Sequence, residues 1–271
     1  MEYLNKKDSY NEINDFLKNL PKNFSILQEE IDIEIQVAYF EHAKSINKLQ
    51  EFNDKEIAIK IAELNITESS EEQKKTILIE LASLENVKAY RAIENFVSKE
   101  TNSDLKAWST LAMQESRMMM ESSLLDEKQV FISTGLGGKG NKLRYYIVGF
   151  LNEEKTFSES QKNLLEKEFE YSLSKYESEI ETIKFEGKYA LITALIPLDQ
   201  PIKEMLKSAI FECVDLGMDI SEHFMVTNVK KMEIDEIDKF IKEQIENSYH
   251  DEDDDEDLLN QFDTEEGFDN D

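Results

Sequence analysis

The chain has 271 residues, with 31 Lys or Arg against 59 Asp or Glu and a net charge of −28, which is long enough for one large domain or two modest ones. A charge of that sign repels phosphate backbones and anionic lipid, so it argues against broad nucleic-acid or membrane-surface binding and favours basic partners. The single cysteine, Cys213, excludes an internal disulfide and a cysteine-based zinc cage.

The N-terminus carries no apolar run behind its first lysines, so no signal peptide is expected. The longest apolar run, residues 189–198, is broken by Thr193 and Pro197 and is shorter than the roughly 20 residues a bilayer requires. These features together predict a cytoplasmic protein with no membrane contact. Residues 1 to about 126 read as helix throughout. Pro21 separates a short amphipathic opener, Tyr3 to Leu20, from a long second helix. Its buried face is expected to hold Leu27, Ile31, Ile35, Ala38, His42, Ile46 and Leu49, which follow the 3.6-residue period. Residues 31–37 also alternate like a strand, but the helical period continues on both sides.

Four shorter helices are predicted to begin near Asp54, Ser70, Asn86 and Ser103, 16 to 17 residues apart. Val87-Lys-Ala-Tyr-Arg-Ala-Ile93 echoes Leu105-Lys-Ala-Trp-Ser-Thr-Leu111, with Lys, Ala, an aromatic and a later aliphatic at matching places. Helices this short cannot bury an apolar face alone and must stack. Residues 54–125 therefore resemble a HEAT-type α-solenoid fragment. That resemblance implies a protein-binding scaffold and brings no catalytic residues with it.

Beyond residue 128 the period changes. Gln129 to Thr134 and Lys142 to Leu151 read as two strands of a hairpin. A long helix opened by the capping box Ser158-Glu-Ser-Gln161 follows, with Leu165, Phe169, Leu173, Tyr176, Ile180 and Ile183 on its buried face. Next come a strand from Tyr189 to Ile196 and a helix whose first position is Pro201. That helix has an apolar stripe at 202, 205, 206, 209, 210, 213 and 214. Gly217 ends it. A strand from His223 to Lys230 and a helix from Glu233 to about Asn247 complete the order ββαβαβα. The fold class expected is α+β: a helical, HEAT-like domain (1–126), a small α+β domain (128–247) with helices on one face of its sheet, and an acidic tail (248–271). The tail holds 12 acids and no Lys or Arg from residue 251 onward, which predicts disorder. Leu258, Leu259, Phe262 and Phe268 among those acids have the pattern of a short docking segment.

Chemistry concentrates in Ser133-Thr134-Gly135-Leu-Gly137-Gly138-Lys139-Gly140-Asn141-Lys142, followed by Leu143 and Arg144. Four of the chain's eight glycines fall here, and glycine serves where φ is positive or a backbone must come close to something. Amide N–H groups in such a loop can cradle an anion, and Lys139, Lys142 and Arg144 would add charge. The segment is no P-loop and no dinucleotide fingerprint, because a strand follows it and not a helix. A plain hairpin tip, a macromolecular contact loop and a small anion site all remain open. Glu115 lies on the apolar face Trp108, Leu111, Ala112, Met118, Met119 and should be paired, with Arg91 as the expected partner. It is read as a structural ion pair or as support for a site near Arg144. Met113 and Met118 to Met120 suggest core filler or an adaptable surface. Cys213 is expected to be buried and inert. His42, His223 and His250 share no ligand spacing, so no metal site and no cofactor is expected.

The reading that follows is an interaction protein that binds a basic protein or a ribonucleoprotein, for example one associated with the ribosome. Direct RNA contact is confined to the 139–144 patch. The alternative is an α+β ligand sensor or enzyme taking a phosphate-bearing small molecule at residues 133–144.

Overall fold

The computed structural model describes residues 24–46, 52–125 and 130–242. The expected opener (3–20) and the tail with Leu258, Leu259, Phe262 and Phe268 lie outside the described residues. Met1–Lys230 form one compact unit and Lys231–Asp271 a second. Overall the protein is α+β, with a helical layer and a curled antiparallel sheet.

The helical layer opens with a short strand, β1 (Phe24–Ile26), and not with the long helix the period suggested. Helix α1 (Ile33–Ser45) begins only after Asp32, whose carboxylate accepts from the Glu34 amide at 2.7 Å. Leu27 and Ile31 are buried as expected, but from the irregular segment between β1 and α1. Their periodicity arises because that segment and the helix feed the same core. Helices α2 (Asp54–Leu64), α3 (Glu71–Ala82), α4 (Val87–Lys99) and α5 (Ser103–Leu125) start where the sequence placed them. Each start has a local cause. Asn53 and Ser70 form capping boxes with Glu56 and Gln73, while the Asn86 and Asn102 side chains accept amide N–H groups of the first turn. The 23-residue α5 packs against α1, α3 and α4 and so acts as the spine of the layer. Trp108, Leu111 and Ala112 of α5 share one core with Tyr39, Leu78, Leu81 and Ile93.

The chain leaves this layer through β2 (Val130–Ile132), which pairs in parallel with β1, Phe24 beside Val130 and Ile26 beside Ile132. The expected hairpin between this strand and the next therefore does not form. Instead β3 (Gly138–Lys139) turns tightly into β4 (Lys142–Phe150). Helix α6 (Glu159–Ser174) has the predicted Ser158–Gln161 capping box but ends before Ile180. Ile180 and Ile183 belong to a strand, β5 (Glu179–Glu186), reached after Glu177 turns the chain at φ 54°. Strand β6 (Tyr189–Pro197), helix α7 (Ile202–Asp215) and strand β7 (Met225–Thr227) follow. Pro201 is the residue capping α7 and not its first helical position. The last strand is shorter than the 223–230 expected. Strand order is β7-β4-β6-β5, with β3 sharing the β4 edge, and every pair is antiparallel. The chain order β-α-β-β-α-β with this pairing is the ferredoxin-like, split β-α-β arrangement, which hosts many unrelated functions.

Both helices cover one face of this sheet, as expected. Leu165, Phe169 and Leu173 of α6 and Leu206, Ala209, Ile210 and Cys213 of α7 pack on Ile147, Ile192 and Ala194. On the opposite face Tyr146, Val148, Phe150, Tyr189 and Leu195 are buried too. Burial pushes the Cys213 thiol up to about 11, which keeps it protonated and unreactive. In the second unit residues 234–242 are helical, opened by the Glu236 side chain accepting from the Glu233 amide.

Candidate functional site

The glycine-dense segment lies where the β1–β2 pair hands the chain over to the sheet. Its glycines serve close packing. A methyl group on Gly135 would stand 1.7 Å from the Val229 carbonyl oxygen, and one on Gly137 would stand 2.4 Å from that of Glu29. On Gly138 it would meet the Lys142 carbonyl at 2.2 Å. Only Gly140, at φ 62° with open space around it, serves the two-residue hairpin turn alone, the position where a positive φ favours glycine.

The loop's polar groups are turned inward. The Leu136 amide donates to Asn228 O at 3.1 Å, and the Gly137 amide to Thr134 O at 3.2 Å. The Ile31 amide donates to Gly135 O at 3.1 Å, and the Arg144 amide to Gly137 O at 2.9 Å. The Thr134 hydroxyl donates to Gly137 O at 3.3 Å. Gln36, buried on α1, donates from Nε2 to Ile31 O at 2.8 Å and to Thr134 O at 3.1 Å, so α1 is clamped to the loop by one side chain. Leu136 is wholly buried.

The cations are used in the same way. Arg144 grips both carboxylate oxygens of Glu181, Nε at 2.5 Å and NH2 at 2.9 Å, while NH1 donates to Leu136 O at 2.7 Å. This is the bidentate geometry that a planar guanidinium matches best. Lys142 pairs with Glu179, whose carboxyl is held below the usual range by that hydrogen bond. Lys139 and Asn141 are exposed at the tip, and Ser133 is half-buried before it. The structure therefore brings all of residues 133–144 to one junction, but spends the amides of Leu136, Gly137 and Arg144, the Thr134 hydroxyl and two of three cations on the protein itself.

Glu115 and Arg91 do not join them. Arg91 faces outward, because Ala89, Ile93 and Phe96 occupy the inner face of α4, and it pairs with Glu94 at 2.6 Å. The counterpart of Glu115 is Tyr39, whose hydroxyl donates to Oε2 at 2.6 Å. This correction to the expected Arg91–Glu115 pair follows from helical phase: residue 91 sits half a turn from the buried positions. Around Tyr39 the rings of Trp108 and His42 meet edge-on, Tyr39 to Trp108 at 5.2 Å and His42 to Trp108 at 5.7 Å. His42 Nε2 lies 3.3 Å from the Thr76 hydroxyl.

Burial, then the Glu115 charge and its hydrogen bond, raises the Tyr39 phenol well above its ordinary 10.0. The folded state thus favours the neutral phenol. Its contribution to stability is complete below the unfolded value of 10.0 and is lost as pH rises beyond it. Tyr145, raised by burial, acts in the same window. Denaturant midpoints measured across the alkaline range should fall for the wild type and fall less steeply for Tyr39→Phe. Equal slopes would remove Tyr39 from the alkaline transition.

Two features escaped the sequence reading. One is Gln36, a polar residue that shares the inner face of the mostly exposed α1 with Tyr39 and Ala43. The other is Phe211, absent from the α7 stripe and therefore on its outer face, 60% exposed beside a hollow of about 420 Å³. Among the described residues no group of three or more His, Cys, Asp or Glu could hold a metal, and no helix is long and apolar enough to cross a membrane. Compared with known proteins, the chain matches no family, and no curated protein is similar to it.

Proposed function

We propose that the protein works by binding a basic macromolecular partner, a basic protein or a ribonucleoprotein, through its acidic surface and not by catalysis. The observation that carries this reading is the uncompensated charge. The net charge is −28, and at the junction where basic residues gather, Lys142 and Arg144 are held by Glu179 and Glu181. Attraction to a cationic surface is long-ranged under such an imbalance and is screened by salt. Stacked HEAT-like helices over 54–125, Lys139 at the exposed hairpin tip, and the acidic tail with Leu258, Leu259, Phe262 and Phe268 are the surfaces this reading assigns to the partner. RNA contact would be limited to the 139–144 patch. The alternative, a phosphate-bearing ligand at 133–144, draws less support, because the amides of Leu136, Gly137 and Arg144 and the cations of Lys142 and Arg144 already have internal partners.

Full-length protein and a chain ending at residue 250 should be used as bait in lysate at low and high salt. Basic proteins should be retained by the full chain at low salt, less so by the shortened chain, and released at high salt. No retention at either salt would end this reading.

A further inference from the structure

Helix α7 turns Met205, Leu206, Ala209, Ile210 and Cys213 inward and leaves Phe211 60% exposed on its outer face. A hollow of about 420 Å³ adjoins that ring, lined by Lys207, Ser208, Ile210, Glu222 and His223. On the neighbouring helix α6, Tyr171 is as open, at 61%, but holds the Lys175 ammonium 3.9 Å from its ring centroid. No cation of the described residues lies over the Phe211 ring. The charges around that ring lean to acid. Glu204, Glu212 and Asp215 of α7 and Glu222 of the hollow are exposed, and only Lys203 and Lys207 oppose them. None of these six forms an ion pair with a described residue. Glu168 of α6 adds to the excess, since after burial its charge and that of Glu212 raise the Cys213 thiol.

We infer, on the reading of a basic partner given above, that Phe211 and its hollow receive an arginine side chain of that partner, with the guanidinium stacked on the ring and drawn there by Glu212 and Glu222. An aromatic face attracts a cation, and more strongly as water is displaced from the contact. A guanidinium is planar, stacks on a ring and still turns its N–H groups to carboxylates, while a lysine ammonium keeps its water more firmly. The same excess of acid rejects other occupants. A second copy of the chain would bring its own acids to the contact, and anionic lipid or the acidic residues 251–271 would be repelled in the same way. Exposed aromatic side chains beside a hollow are frequent anchors of protein interfaces. Lys207 works against the guest, so its charge limits the affinity of this face.

Calorimetric titration of the full-length protein at low salt, with an N-acetylated peptide amide of alternating arginine and glycine, is the test. Peptides with lysine or with uncharged citrulline at the arginine positions are the comparisons. The arginine peptide should bind more tightly than the lysine peptide, and the citrulline peptide should not bind. Phe211→Leu keeps an apolar side chain without a ring face, and should weaken the arginine peptide about fivefold and the lysine peptide less. Glu212→Gln combined with Glu222→Gln should weaken it about tenfold and flatten its salt dependence. Glu170→Gln combined with Glu186→Gln removes the same charge from other exposed positions and should weaken it far less. Lys207→Gln should tighten binding. Every substituted position is exposed, so circular dichroism should stay unchanged. An arginine peptide that binds the wild type, Phe211→Leu and the Glu212 and Glu222 double variant alike would overturn the inference, yet leave a basic partner free to bind elsewhere on the protein. Absence of binding by either cationic peptide would overturn it as well, while retention of basic proteins from lysate decides the wider reading separately.

Discussion

Gly135→Ala is expected to lower stability by at least about 3 kcal/mol, as forced overpacking against an immobile group does. The added carbon would lie 1.7 Å from the Val229 carbonyl oxygen, and both partners are backbone, so no side chain can swing aside. Gly137→Ala should cost as much or more. It combines a 2.4 Å approach to Glu29 O with φ of 65°, a conformation that alone costs an L-residue about 1–2 kcal/mol. Gly140→Ala is the control. It shares the positive φ, at 62°, but faces open space, so only that backbone cost of about 1–2 kcal/mol remains. Urea midpoints followed by far-ultraviolet circular dichroism should rank the variants in that order. If Gly135→Ala unfolds at the same midpoint as Gly140→Ala, the loop is not packed as described.

Trp108→Ala is expected to cost about 3–5 kcal/mol, the range for deleting a large aromatic from a core. The indole joins three helices. It meets Tyr39 and His42 of α1 edge-on, lies 5.1 Å beneath the Lys75 ammonium of α3, and donates from Nε1 to Lys75 O at 3.3 Å. Domains are stable by only about 5–15 kcal/mol in all, so this one truncation removes a large part of the reserve. The melting temperature should drop on the order of 10 °C. Trp108 is the only tryptophan, so the measurement has to use circular dichroism or calorimetry. A drop no larger than that of an exposed substitution such as Val87→Ala would show that α5 is not the spine of the helical layer.

Helix starts were legible because their caps are local: Asn53, Ser70, Asn86 and Ser158 sit within three residues of the groups they satisfy. Strand β1 was not, because three residues carry no period of their own and its partner is more than a hundred residues away. Strand β5 was read as helix because Leu173, Tyr176, Ile180 and Ile183 continue the spacing of α6. A register shift between Ile180 and Thr182 also disrupts the two-residue alternation that would have marked a strand. The glycine loop was half legible. Its composition announces a close approach or a positive φ, and both are found. What approaches is a set of carbonyls from Val229, Gln28 and Glu29, and nothing in the local sequence could name them.

The β1–β2 pair also has an entropic consequence. Three residue pairs, Phe24–Val130 to Ile26–Ile132, tether the two ends of an excursion that includes all five helices of the layer. Closing a floppy circuit of about a hundred residues costs on the order of 4 kcal/mol, more than so short a ladder returns. The knot therefore holds only once the helices have already shortened the circuit. Melting the helical layer would untie it, and the backbone seal around Gly135 to Gly138 would open with it.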